Sequence, residues 1–237
     1  MTAIESNKDG TVVLPGDEIG RVGTSKEIRI GPGLVQASGD SIVSTRAGIL
    51  KYRPKHKYWF VDNRTQRRYV PALEDLVVGV VVNRSSEALV VDVGAAVYAT
   101  LPTLAFEGAT KRNRPRINIG DAVYARVVSA GRDFEPELEC MSVRKKSDGF
   151  GELVGGFIIK VTLSHARSLM EPDCPVLRHL GELIPYEVAV GLNGRVWIKA
   201  ENASNTILVS NAISNSEWLN PGQVREMVSA LFERFQQ

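Results

Sequence analysis

The densest run of chemically useful side chains is Phe106-Glu107-Gly108-Ala109-Thr110-Lys111-Arg112-Asn113-Arg114-Pro115-Arg116. Lys111, Arg112, Arg114 and Arg116 put four cations within six positions. That spacing neutralises successive phosphates of a polyanion rather than polarising a single reacting bond. Single-stranded nucleic acids are held by a basic track together with aromatic rings on which bases stack, each stack contributing roughly 1–3 kcal/mol. Phe106, Tyr98 and Tyr124 are the aromatic candidates, and each can face either solvent or the interior of its own domain. No residue pattern supports base-specific readout.

Hydrolytic chemistry has one candidate, the acidic cluster Asp133, Glu135, Glu137 and Glu139. A metal-dependent ribonuclease needs carboxylates converging from different elements. Alternation along Glu135-Pro136-Glu137-Leu138-Glu139 instead sets the glutamates on one solvated strand face. His56, His165 and His179 show no HExxH spacing, Cys140 and Cys174 form no CxxC, and no serine sits in a nucleophile elbow. The expectation is no catalytic residue, no metal and no cofactor. Gly191-Leu192-Asn193-Gly194 matches the GXXG loop with which KH domains clamp a nucleic-acid backbone. A clamping loop joins two helices, however, and this one lies between two strand-like segments. Asn193-Gly194 is also a strong hairpin signal, so a structural turn is the favoured reading.

These residues need a scaffold, and the sequence predicts three. Turn signals at Pro15-Gly16-Asp17, Gly31-Pro32-Gly33 and Gly39-Asp40 separate short strands at Ile28–Ile30 and Ser41–Ser44. Tyr58–Val61 and Arg68–Val70 read as a hairpin turning at Asp62-Asn63. From Asp75 onward come five β-branched segments: Leu76–Val82, Ala88–Val93, Ala96–Ala99, Asp121–Val128 and Leu138–Val143. With Gly79 placed to let one strand coil, they suit a small OB-type barrel. Arg144–Gly149 reads as a linker. Beyond it, a strand at Phe157–Leu163, a helix capped by Ser164, a helix over Val176–Leu183 and strands at Tyr186–Val190 and Arg195–Lys199 make an α+β unit. Its last helix follows Asn220-Pro221, with apolar residues at i, i+3, i+4 spacing from Val224 to Phe235.

Composition sets the outer limits. The 237 residues are 43% hydrophobic and 24% charged, values of a folded chain of one or two average domains. No apolar run approaches the ~20 residues of a membrane helix, so no membrane partner is expected. The N-terminus lacks a secretory pattern, and two cysteines argue for a reducing compartment. Net charge is only +2, yet residues 46–70 carry eight Lys/Arg against Asp62 alone, and the 111–116 loop adds four more cations. The rest of the chain is therefore distinctly acidic. Such segregation fits either local contact with a polyanion or solvated strand faces.

The order of a small β domain (1–73), an S1-type barrel (74–147) and a KH-like domain (148–237) resembles the RNA-binding cap subunits of the RNA exosome. The likeness is carried by Val13-Leu14-Pro15-Gly16-Asp17, Gly31-Pro32-Gly33-Leu34, Arg68-Tyr69-Val70-Pro71, the whole Phe106–Pro115 loop, Gly120–Arg126 and Gly191–Lys199. It implies a multidomain fold, mainly β and then α+β, and a non-catalytic role. Such subunits sit with other cap subunits on a ring of RNase PH-like subunits and guide single-stranded RNA 3′ ends into its channel. Associated 3′-to-5′ exoribonucleases then process rRNA and degrade RNA in the nucleus, nucleolus and cytoplasm. The resemblance further implies ring docking through Leu14, Pro15, Gly16 and Asp17. It also implies a packing role for Gly191, Asn193 and Gly194 between the KH-like domain and the barrel. The competing readings are a free-standing RNA-binding factor with the same modules and, more remotely, the ribonuclease of the 133–139 carboxylates.

Overall fold

β-Branched and aromatic residues at alternate positions build the first part of the chain, as a two-sided strand requires. The computed structural model describes residues 9–21, 29–37, 39–54, 57–63, 68–131, 134–142, 146 and 148–235. The chain divides into two units, Met1–Gln66 and Arg67–Gln237. In the first, β1 (Val12–Val13), β6 (Gly48–Arg53), β7 (Tyr58–Asp62) and β3 (Arg29–Ile30) form one sheet in the order β1-β6-β7-β3. The strands β2 (Glu18–Arg21), β5 (Ser41–Ser44) and β4 (Leu34–Gln36) form a second. Val13, Ile19, Leu34, Ile42, Leu50, Trp59 and Val61 make its core. Gly33 is required where it stands: its φ is +85°, and a Cβ there would lie 2.7 Å from Cβ of Val61.

The expected hairpin from Tyr58 to Val70 does not form. β7 pairs antiparallel with β6 and parallel with β3, while Arg68–Val70 is not a strand. Tyr69 is buried in the core of the second unit, where its hydroxyl donates to Asp75 at 2.8 Å. Residues 68–73, read from sequence with the N-terminal domain, thus go with the barrel.

The barrel closes through five strands, β8 (Leu76–Arg84), β9 (Ala88–Asp92), β10 (Ala99–Pro102), β11 (Ala122–Ser129) and β12 (Glu137–Glu139). β12 pairs with both β10 and β11, which completes the ring expected of an OB fold. β13 (Gly151–Leu153), beyond the expected linker, adds to the outer side of β11. Val77, Val81, Leu89, Val91, Leu101, Val123, Val127 and Leu138 fill the interior. The third barrel strand runs over 99–102 rather than 96–99. Asp92 accepts from the Gly94 amide and Gly94 has φ +74°, so the chain turns through residues 93–98 before re-entering the sheet. The last barrel strand is likewise shorter than Leu138–Val143. Of the expected linker, residues 144, 145 and 147 lie outside the described residues.

The KH-like part follows in the same unit, with β14 (Phe157–Lys160), α1 (Leu163–Leu169), α2 (Pro175–Leu183), β15 (Tyr186–Val190), β16 (Arg195–Ala200), α3 (Ala203–Asn215) and α4 (Pro221–Phe235). Its sheet runs β14-β16-β15, and Val196, Ile198, Leu180, Val209, Ala212, Ile213 and Val228 pack beneath it. Thr162, not Ser164, caps α1 by accepting the His165 amide. α3 has no counterpart in the sequence reading. No helix among the described residues is long and apolar enough to cross a membrane.

Candidate nucleic-acid interface

The basic loop is held at both ends. Thr103 donates its amide and its hydroxyl to the Glu87 carbonyl, and Cys140 donates its amide to Ala105. Ile117, 1% exposed, plugs the barrel at the far end, where the Arg84 guanidinium donates to its carbonyl at 3.2 Å. Between these anchors Thr110 and Asn113 exchange backbone hydrogen bonds in a tight turn. Lys111, Arg112, Arg114 and Arg116 are all exposed, and none forms an ion pair among the described residues. Arg114 leans back onto the Ser86 carbonyl of the β8–β9 turn. That contact and Arg84 bring the turn and the loop together into one basic rim. Arg84 was not singled out by sequence, because only the barrel register places it beside Ile117.

The aromatic candidates part company. Phe106 is half-buried, bridges to Cys140 and packs against the barrel core, so it supports the loop from within. Tyr124 stacks on Phe150 with centroids 5.3 Å apart and donates to the Val190 carbonyl, which places it between barrel and KH-like domain. Tyr98 is 56% exposed but precedes β10, whereas the basic loop follows it. The strand's four residues, at ~3.3 Å each, hold the two apart.

The acidic cluster does not converge. Glu139 is paired with Arg126 at 2.7 Å, and Arg126 also takes Glu74. Glu135 accepts from the Thr100 hydroxyl, and Asp133 lies outside the described residues. Among the described residues no three His, Cys, Asp or Glu side chains could hold a metal ion. Burial pushes the Cys140 thiol up to about 12, which removes it as a nucleophile at neutral pH.

Gly191-Leu192-Asn193-Gly194 joins β15 to β16 and is turned towards the barrel. Asn193, 8% exposed, accepts the Val78 amide and donates to the carbonyls of Val78 (2.8 Å) and Val93 (2.9 Å). Leu192 donates its amide to Leu76. A Cβ on Gly191 would lie 2.2 Å from the Asn193 amide oxygen and 2.6 Å from the Val78 nitrogen, so glycine alone admits this approach. Gly194 has φ +75°. Arg195 adds a second tie that sequence reasoning missed: its guanidinium reaches the Asp92 carboxylate at 2.7 Å and the Asp92 carbonyl at 2.6 Å. Burial raises the Asp92 carboxyl, but Arg195, the Gly94 amide and the charge of Lys160 together hold it below its usual range. No phosphate could enter this loop without displacing barrel backbone.

In the first unit, Leu14, Pro15, Gly16 and Asp17 form a turn. The Asp17 carboxylate accepts the Leu14 amide at 2.7 Å, and the Gly16 amide donates to Ser44. All four residues are exposed, Leu14 to 58%.

An S1-type barrel with a basic rim, tied to a KH-like domain, is the class of protein this fold and site define. Residues 69–151 match the family described as exosome complex component RRP40, S1 domain, and residues 156–204 match a KH domain. Residues 28–67 match the N-terminal domain of exosome complex exonuclease Rrp40. Exosome complex component RRP40 of Drosophila melanogaster is 43% identical over 210 residues, covering 87% of this chain and 89% of that protein. Its counterpart in Schizosaccharomyces pombe is 42% identical over 227 residues, covering 93% and 94%. A crystal structure assigned to an exosome complex RNA-binding protein shares the fold with a TM-score of 0.60 at 19% identity, covering 72% of this chain and all of that one. The chain belongs to the RRP40 family of exosome complex components.

Proposed function

We propose that this chain is a non-catalytic, RNA-binding cap component of the exosome complex. The observation that carries the RNA contact is the rim itself: four exposed cations with no ion-pair partner among the described residues, on a loop braced at both ends. Lys111, Arg112, Arg114 and Arg116 hold successive phosphates of single-stranded RNA, while Phe106 keeps the loop seated. Tyr98, at the other end of β10, takes a base further along the strand. The Leu14–Asp17 turn docks on a ring of RNase PH-like subunits beside the other cap subunits. RNA 3′ ends pass over the rim into the ring, and associated 3′-to-5′ exoribonucleases cut them. The chain works in the nucleus and nucleolus and also in the cytoplasm.

Four neutralised phosphates give a slope of log K against log salt near −3 for a single strand. Anisotropy of a labelled oligouridylate, measured across salt for the full chain and for Lys111→Glu/Arg112→Glu/Arg114→Glu, tests the rim. The expected result is weaker binding with a flatter slope. Unchanged affinity and slope would take the loop off the RNA path.

A further inference from the structure

Three cations of the basic stretch 46–70, Lys51, Arg53 and Lys57, lie on or beside one sheet face of the first unit and take no part in the barrel rim. In the β1-β6-β7-β3 sheet, Leu50, Trp59 and Val61 point into the core, so their neighbours face outwards. The register aligns those outward residues in rows. Arg53 of β6, Tyr58 of β7 and Arg29 of β3 form one row, and Lys51 and Phe60 form the next. Two arginines therefore flank a tyrosine at one strand spacing, ~4.8 Å, on either side. Lys57 stands at the turn leading into Tyr58.

The rings are seated for this face. Tyr58 and Phe60 stack with centroids 5.6 Å apart and planes 29° from parallel. The tyrosine lies across the backbone of Gly31, where a Cβ would meet its hydroxyl oxygen at 2.1 Å. The Arg53 guanidinium lies 5.4 Å from the Phe60 centroid. Lys51 is paired with Asp62 at 2.9 Å, whereas Arg29, Arg53 and Lys57 have no acidic partner among the described residues. Charge thus runs from basic at the Arg53–Tyr58–Arg29 row to neutral at Asp62.

We propose that this outer sheet face is a second single-stranded RNA contact, with Tyr58 and Phe60 taking bases and Arg29, Arg53 and Lys57 taking phosphates. An acidic protein surface would satisfy the charges but gives no reason for two stacked aromatic rings, one laid on a glycine and the other beside a guanidinium group. Stacked bases on a phosphate backbone satisfy both features. The inference rests on RNA being the ligand of this chain, yet it concerns residues remote in sequence from the 111–116 loop and can fail separately.

The test uses the full chain, a labelled 20-residue oligouridylate and two variants, each checked for folding by circular dichroism and thermal melting. Tyr58→Leu/Phe60→Leu is expected to weaken binding about thirty-fold, the lower end of what two stacked bases contribute, with the salt slope unchanged. Arg29→Gln/Arg53→Gln is expected to flatten the slope by about 1.4, since each phosphate on a single strand contributes about 0.7. A 4-thiouridine oligomer should crosslink to the peptide containing Tyr58 and Phe60 in the wild-type chain. Should the ring variant fail to fold, the charge variant and the crosslink decide the matter. Unchanged slope in the charge variant, together with no crosslink, overturns the proposal even if the 111–116 variant still loses RNA. Loss of co-elution with RNase PH-like subunits in the charge variant, at unchanged RNA slope, also overturns it and makes the face a protein contact. Loss of RNA binding from the 29/53 change with none from the 111–116 change sustains this face and removes the rim.

Discussion

Asn193 makes three hydrogen bonds to barrel backbone from a position 8% exposed. Truncation leaves the Val78 amide and two carbonyls without partners in a site too tight for easy hydration. Unsatisfied buried groups cost about 1–3 kcal/mol each, so Asn193→Ala should destabilise the second unit by roughly 3 kcal/mol or more in urea melts. Asn193→Asp should be at least as costly. It keeps an acceptor for the Val78 amide but sets a second oxygen against the two carbonyls, where the amide had donated. A variant as stable as wild type would mean that the turn closes without the side chain. The bare GXXG pattern resembles an RNA clamp, and the tertiary contacts give it the opposite role. The flanking segments, strands rather than helices, and the Asn193-Gly194 hairpin signal make that role readable in the sequence.

Between elements, β9 and β16 are tied by Asp92 and Arg195. The folded Asp92 carboxyl sits below its ordinary value of 3.8, so its pairing stabilises the fold above that pH and is lost as pH falls through the folded value. Asp92→Asn should therefore lower the melting temperature at pH 7. Its deficit against wild type should shrink below about pH 4, as the wild-type carboxyl is protonated as well. A deficit independent of pH would assign the effect to packing. Strands with local alternation, such as Ser41–Ser44 and Tyr186–Val190, were legible from sequence, and so was α4 from its Asn-Pro start and apolar stripe. α3 was not. Within it Ser204, Asn205, Thr206, Ser210, Asn211, Ser214 and Asn215 are weak helix formers, and the helix persists because Leu208, Val209, Ala212 and Ile213 are buried. β7 pairs with β6 and β3, both of which precede it, and nothing in the local pattern of Tyr58–Val70 points back to them. The basic loop was visible as charge alone. Arg84 and Arg195 were not, since each acquires its place from a partner 33 or 103 residues away.

At the scale of the molecule, barrel and KH-like domain belong to one unit and share the Val78–Ala189–Trp197 cluster, the Asn193 contacts and the Asp92–Arg195 pair. Residues 67–237 should accordingly unfold in one cooperative transition, with barrel and KH-like probes giving coincident midpoints. Asn193→Ala should move both together; two separated transitions in the wild-type chain would refute the coupling. The same tie sets an order of events at the ribosome. Val78 lies in the first barrel strand, fully buried, yet the side chain that satisfies its amide and carbonyl is made 115 residues later. At about 5–20 residues per second, the nascent barrel waits on the order of ten seconds for that partner. Throughout that interval the Val78 amide and carbonyl stand open to water on the barrel's flank.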